Sequence, residues 1–252
     1  GLGALIGIGL AFVREQLDET VTTRAELEAA TGGAPVLALV PRSGDGEHHG
    51  VRGRFGALGR VGRPAHDHEP APLAVAQPTG TPAAEAYRSL RTSVRFLDVE
   101  RPLRTLLVTS PTEGDGKTTT VANLAVAVSR SGQRCVVVCG DLRQPRVHEH
   151  LGVAPEPGLT SVLLGEVTLD EALQRVPDTG KLRVLAAGGV PPNPSELLSS
   201  DAAIQVLERV GDGADLVLID SPPVLPVTDA LVLAQQVDGV VLVADARHTG
   251  LP

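Results

Sequence analysis

The chain has 252 residues, 42% hydrophobic and 21% charged, enough for one α/β core plus an accessory segment. A formal net charge of −8 with no dense Lys/Arg tract excludes the basic face that a nucleic-acid binder needs, so no nucleic acid is expected as a partner. Its two cysteines, Cys135 and Cys139, lie four apart in an apolar run that reads as a strand, with Cα atoms about 13 Å apart; they cannot bridge each other, and a reducing, cytoplasmic setting fits.

Residues 1–13 form an uncharged, glycine-rich apolar run that stops at Arg14-Glu15. A complete spanning helix needs about 20 apolar residues, so the run reads as the C-terminal end of a transmembrane helix in preference to a short buried helix, glycine being commoner in membrane helices. No basic stretch precedes it and no cleavage pattern follows it, which argues against a signal peptide. Residues 14–41 read as a juxtamembrane arm: a helical stretch over 23–30, a Gly32-Gly33 stop, and an apolar strand from Val36 to Val40 that ends at Pro41. Residues 42–72, rich in Gly, Arg, His and Pro without apolar periodicity, read as a flexible linker, because they cannot bury enough surface to offset ordering entropy. His48, His49, His66 and His68 lie there; with no cysteine among them, a zinc tract is the weaker reading.

Residues 73–252 read as a P-loop ATP-binding domain, in which helix and strand alternate from about residue 83. A helix runs through 84–91. The strand Thr105 to Thr109 follows, then a glycine-rich loop and a helix with Val121, Leu124, Ala125 and Val128 on one face, which Gly132 terminates. Further apolar strands read at Cys135 to Cys139, Leu182 to Leu185, Leu216 to Ile219 and Gly239 to Val243. The expected fold is α/β, a mostly parallel, doubly wound sheet of P-loop NTPase type buried on both faces. In such sheets ligands bind at the carboxyl ends of the strands, so the loops after residues 109, 139 and 219 should meet in one crevice.

All three loops carry polar residues. Ser110 to Thr119 lies between a strand and a helix, where backbone N–H groups can wrap phosphate oxygens. Glu113, Gly114, Asp115, Gly116, Lys117, Thr118 and Thr119 are the expected nucleotide-binding residues, with Lys117 reaching the β and γ phosphates and the Thr118 hydroxyl offered to Mg2+. The loop is a variant, since the first glycine of the usual pattern falls at Pro111. Asp220 closes an apolar strand and could hold the magnesium shell or orient its water. Asp141, just beyond Val136–Cys139-Gly140, could bind metal or accept a proton. The expected catalytic set is therefore Lys117, Asp141 and Asp220, and the metal set Thr118, Asp141 and Asp220, with ATP and Mg2+ as cofactors.

Together these elements resemble the bacterial tyrosine kinase family, P-loop kinases coupled to capsular and extracellular polysaccharide synthesis. The likeness covers most of the chain: the membrane-helix end and arm, Glu85-Ala86-Tyr87-Arg88-Ser89-Leu90-Arg91, the phosphate loop, Asp141-Leu142-Arg143, Pro192-Asn193-Pro194-Ser195-Glu196-Leu197-Leu198, and Asp220-Ser221-Pro222-Pro223 with Asp229. The resemblance implies Mg-ATP binding, tyrosine autophosphorylation between subunits, a ring-like homo-oligomer on the cytoplasmic face of the cell membrane, and partnership with polysaccharide polymerase and export machinery. It assigns Glu85, Arg88 and Arg91 to the subunit contact, whereas their spacing alone gives an i,i+3 charge pair.

Two departures qualify the likeness. Cys139 stands where the family's D-x-D has its first acid, and a neutral thiol supplies neither the charge for a magnesium shell nor a strong base. The family's tyrosine-rich C-terminal cluster has no counterpart within these residues, as a kinase domain truncated at its C-terminus, or a degenerate gene, would give; Tyr87 is the one tyrosine here and a packed helix residue by expectation. A catalytically impaired ATP-binding regulatory module, and a partitioning or division-site P-loop ATPase, are the competing readings.

Overall fold

The computed structural model describes Glu28 and residues 32–41, 73–76, 80–97 and 103–246. The expected membrane-helix end (1–13), the linker with its four histidines (42–72) and nearly all of the arm helix lie outside the described residues. Among the described residues no helix is long and apolar enough to cross a membrane. The chain falls into two compact units, residues up to Val36 together with those from Ala244, and Leu37–Val243. In the first, the Glu28 carbonyl accepts from Gly33 N–H at 2.7 Å and its Oε1 from Val36 N–H at 3.4 Å.

The strand expected at residues 36–40 does not form: residues 34–41 adopt no regular element, and Leu39 is 68% exposed. An apolar run makes a strand only when its backbone is paired with another strand. Here the Leu37 carbonyl accepts instead from the Ser93 hydroxyl at 2.9 Å.

The second unit holds six strands and eight α-helices among its described residues. Helix α1 (Pro82–Arg95) is started by Thr81, whose hydroxyl accepts from Ala84 N–H at 3.2 Å, and by Pro82 at its first position. It buries Ala84, Tyr87, Leu90 and Val94, one per turn. Tyr87 is thus a packed core residue, 4% exposed. Strand β1 (Thr105–Thr109) leads through the glycine-rich loop into α2 (Lys117–Arg130), whose residues are buried almost without break from Thr120 to Ser129. A helix apolar nearly all round must be enclosed, and α1 packs against it. Gly132 follows the α2 cap at φ 93° and donates to Ser129 O at 2.9 Å, the left-handed turn that ends the helix.

Then come β2 (Cys135–Cys139), α3 (Val147–Leu151), α4 (Leu159–Leu163), α5 (Leu169–Ala172), β3 (Leu173–Arg175), β4 (Leu182–Leu185), α6 (Pro194–Leu198), α7 (Asp201–Asp212), β5 (Leu216–Asp220), α8 (Asp229–Ala234) and β6 (Gly239–Leu242). The sheet order is β3-β4-β2-β5-β1-β6, parallel except for β3, which runs antiparallel to β4. Every residue of β2 and β5 is buried, as a sheet covered on both faces requires. Strand β3 escapes the sequence reading because Leu173-Gln174-Arg175 is short and half polar. It sits at an edge, where a charged residue such as Arg175 is tolerated.

The segment before α4 is seated directly on the chain leaving β4: Leu159 N–H donates to Ala186 O at 2.7 Å and Thr160 N–H to Ala187 O at 2.8 Å. A Cβ on Gly158 would lie 2.2 Å from Gly188 N and 2.4 Å from Ala186 O, both backbone atoms that cannot yield. Gly158→Ala is expected to destabilise the fold by about 3 kcal/mol or more, read as a lowered midpoint in denaturant unfolding with the slope unchanged.

Candidate nucleotide site

Because β5 lies between β1 and β2, the chain segments leaving these three strands emerge side by side at one end of the sheet. The loop after β1 is shaped by its own side chains. Ser110, fully buried, donates to Thr112 O at 2.7 Å, and Asp115 Oδ2 accepts from Thr112 N–H at 2.9 Å and Thr112 Oγ1 at 3.0 Å. Gly114 and Gly116 take φ of 90° and 91°, a left-handed backbone that glycine adopts without strain. The first bond inside α2 runs from Thr120 N–H to Gly116 O at 2.9 Å, so the N–H groups of Lys117, Thr118 and Thr119 precede the helical ladder at its positive end. Asp115 therefore spends its carboxylate holding the loop, and Glu113 is exposed at the tip.

The expected catalytic residues do converge. Lys117 Nζ lies 3.2 Å from Asp141 Oδ2, and the Thr118 hydroxyl donates to Asp220 Oδ2 at 2.9 Å. Asp220 is wholly buried, and its Oδ1 has no hydrogen-bond partner among the described residues. Burial pushes its carboxyl up to about 7; the nearby Asp141 charge adds to this, while Lys117 and the Thr118 hydroxyl oppose it. A buried carboxylate oxygen without a partner, a hydroxyl and a second carboxylate form a hard-oxygen set that fits Mg2+. Among the described residues no three His, Cys, Asp or Glu side chains form a self-sufficient metal cage.

Cys139 stands opposite Asp220 in the β2–β5 register and is fully buried. Burial drives its thiol upward, and the charges of Asp220 and Asp141 push the same way, so it stays neutral. Its Sγ lies 3.6 Å from Asp141 O.

Three residues to which the sequence alone assigns no role meet beside this group. Arg143 of the Asp141 turn donates from Nε to Asp229 Oδ2 at 2.7 Å and from Nη2 to Asp229 Oδ1 at 3.1 Å and Ser195 Oγ at 3.1 Å; Ser195 Oγ in turn bonds Asp229 Oδ1. Burial works against the charge of Asp229, but the bonds from Arg143 and Ser195 outweigh it and hold its carboxyl below the usual range. Their separation in sequence by 52 and 34 residues hides the cluster from any local pattern. Of the residues expected at a subunit contact, Glu85 pairs with Arg88, while Arg91 Nη1 donates to Ala127 O of α2 at 3.2 Å.

The Asp220 shift gives a pH dependence. A carboxyl raised from 3.8 to about 7 leaves stability intact below about pH 4 and removes it as pH rises through 7, with an upper bound of about 4 kcal/mol. Asp220→Asn is therefore expected to raise the melting temperature above pH 7 without metal, the gain fading toward pH 4. Added magnesium nucleotide should stabilise the unsubstituted chain more than the variant; differential scanning fluorimetry across pH reads both.

No protein-family profile matches the chain. Among curated proteins it is 39% identical over 166 residues to "Tyrosine-protein kinase YwqD" of Bacillus subtilis strain 168, covering 66% of this chain and 70% of that protein. It is 36% identical over 245 residues to "Tyrosine-protein kinase etk" of Escherichia coli K12, covering 96% of this chain but 33% of the relative, so it spans about a third of that protein's length. Among solved structures, the kinase domain of Escherichia coli tyrosine kinase ETK matches with a TM-score of 0.74 at 34% identity, over 89% of this chain and 82% of that one. The BceF tyrosine kinase domain matches with a TM-score of 0.73 at 31% identity, over 91% and 88%. A phosphate-loop sheet of this topology and likeness of this extent at these identities place the chain in the bacterial tyrosine kinase family.

Proposed function

We propose that the chain is an ATP-dependent protein-tyrosine kinase acting in capsular or extracellular polysaccharide synthesis and export, at the cytoplasmic face of the cell membrane. The observation that carries this reading is the convergence of Lys117, Thr118, Asp141 and Asp220 around the N-terminus of α2. Bound there with magnesium, ATP supplies the phosphoryl group and the metal neutralises charge on it. The N–H groups from Glu113 to Thr119 cradle phosphate oxygens, and Lys117 exchanges Asp141 for the β and γ phosphates. Thr118 and Asp220 would hold the magnesium, which favours the ionised form of the Asp220 carboxyl. Asp141, freed from Lys117, would be the further carboxylate for the magnesium or the base for the tyrosine hydroxyl proton.

The buried side chain of Tyr87 makes it unsuited as acceptor, so the phosphate goes to a tyrosine other than Tyr87, transferred between subunits. Glu85 and Arg88, exposed or half-exposed on α1, remain available to such a subunit, whereas Arg91 is partly engaged with α2. Cys139 favours a second reading, a catalytically impaired nucleotide-binding module of the same machinery, because its thiol stays neutral where the family carries a carboxylate.

Transfer of label from γ-labelled ATP with magnesium to a tyrosine-rich acceptor peptide separates the two. Labelling that falls about 100-fold or more in Lys117→Ala is the expected result. Cys139→Asp should raise the rate several-fold while lowering the melting temperature, since it adds a third buried carboxyl beside Asp220 and Asp141. Nucleotide binding with no label in either protein would establish the regulatory reading.

A further inference from the structure

Asp141 sits on residues 140–146, a turn without regular structure between β2 and α3, yet its carboxylate must be held to a fraction of an ångström to serve a nucleotide. Three attachments fix that turn. Gly140 N–H donates to Asp220 O at 2.7 Å, and the approach is so close that a Cβ there would lie 2.9 Å from that oxygen and 2.8 Å from Leu233 Cδ1 of α8. Asp141 Oδ1 accepts from Arg143 N–H at 3.2 Å and Gln144 N–H at 3.0 Å, which turns Oδ2 toward Lys117. The third attachment is the Arg143 guanidinium, which reaches out of the β2–β5 pair to Asp229 of α8 and Ser195 of α6.

A loose surface ion pair would fix nothing, because two long side chains in water lose their pairing energy to entropy and screening. This pair differs in two respects. Asp229 is fully buried, and the guanidinium meets it through a two-point fork whose geometry a lysine cannot reproduce. Ser195 completes the carboxylate's bonding and ties in α6, which α8 also grips through Gln236 Nε2, just past its end, donating to Leu198 O at 3.2 Å.

We propose that Arg143 is a positioning residue for the nucleotide site: locked on Asp229 and Ser195, it holds the turn so that Asp141 Oδ2 is set against Lys117 and available to magnesium. Helices α6 and α8 thereby set the geometry of the site without touching nucleotide. This rests on the reading of the site as one for a magnesium nucleotide.

The test uses the full chain and calorimetric titration with ADP, with and without magnesium, for the unsubstituted protein, Arg143→Lys and Asp229→Asn, alongside their melting temperatures. The expected result is metal-free ADP affinity within about twofold in both variants, because loop backbone and Lys117 are intact, and a magnesium-dependent gain in affinity reduced about tenfold. Ser195→Ala, which keeps the fork, should lose less of the gain than either. An undiminished gain in Arg143→Lys overturns the proposal. So does a parallel fall of metal-free affinity and melting temperature in the two variants, which would make Arg143 a fold-stabilising residue only, and so does an unsubstituted chain without any magnesium-dependent gain. Phosphotransfer on the same samples tests the kinase reading separately: no transfer by the unsubstituted chain, with the pattern of gains as expected, defeats that reading and leaves the positioning role standing.

Discussion

The site depends on one buried carboxylate. Asp220 ends β5 at the centre of the sheet, and the segments that carry the rest of the chemistry are attached to it or to its strand. The Thr118 hydroxyl bonds its side chain, Gly140 N–H bonds its carbonyl, and Ser221, the next residue, returns an N–H to Val108 of β1 at 3.2 Å. Phosphate loop and Asp141 turn are thus referenced to the same point. Such a carboxylate is costly to ionise without a cation at hand, and among the described residues its Oδ1 has no partner, as the metal position proposed for it requires.

Around that point the charges are few and closely balanced. Two carboxylates, one lysine and a neutral thiol share the end of the sheet, and Lys117 lies nearest Asp141, not Asp220. Replacing an acid by Cys139 removes one repulsion from a crowded group, which eases the folding cost of bringing Asp141 and Asp220 together. At that position the thiol adds no charge beside the two carboxylates.

Support for the site comes from two directions. In front, α1 is packed on α2 and bonded to it through Arg91, so the helix that starts at the phosphate loop is braced along its length. Behind, α6 and α8 hold the Asp141 turn through Arg143. Both supports are built from polar side chains aimed at backbone carbonyls or a buried carboxylate, contacts that fix geometry more sharply than apolar packing.

The core of this picture is legible in the residues alone. Five of the six strands announced themselves as short apolar runs, because a parallel sheet buried on both faces tolerates little else, and the strand–glycine loop–helix order placed Lys117 and Thr118. That Asp141 and Asp220 would join them followed from the rule that loops at the carboxyl ends of parallel strands share a crevice. The remainder depended on partners distant in the chain. The run at residues 36–40 had strand character but pairs with no strand among the described residues; β3 had little strand character but was offered the edge of β4. The Arg143–Asp229–Ser195 cluster, the engagement of Arg91 with α2 and the raised carboxyl of Asp220 arise from burial and from neighbours dozens of residues away, and no local pattern records either.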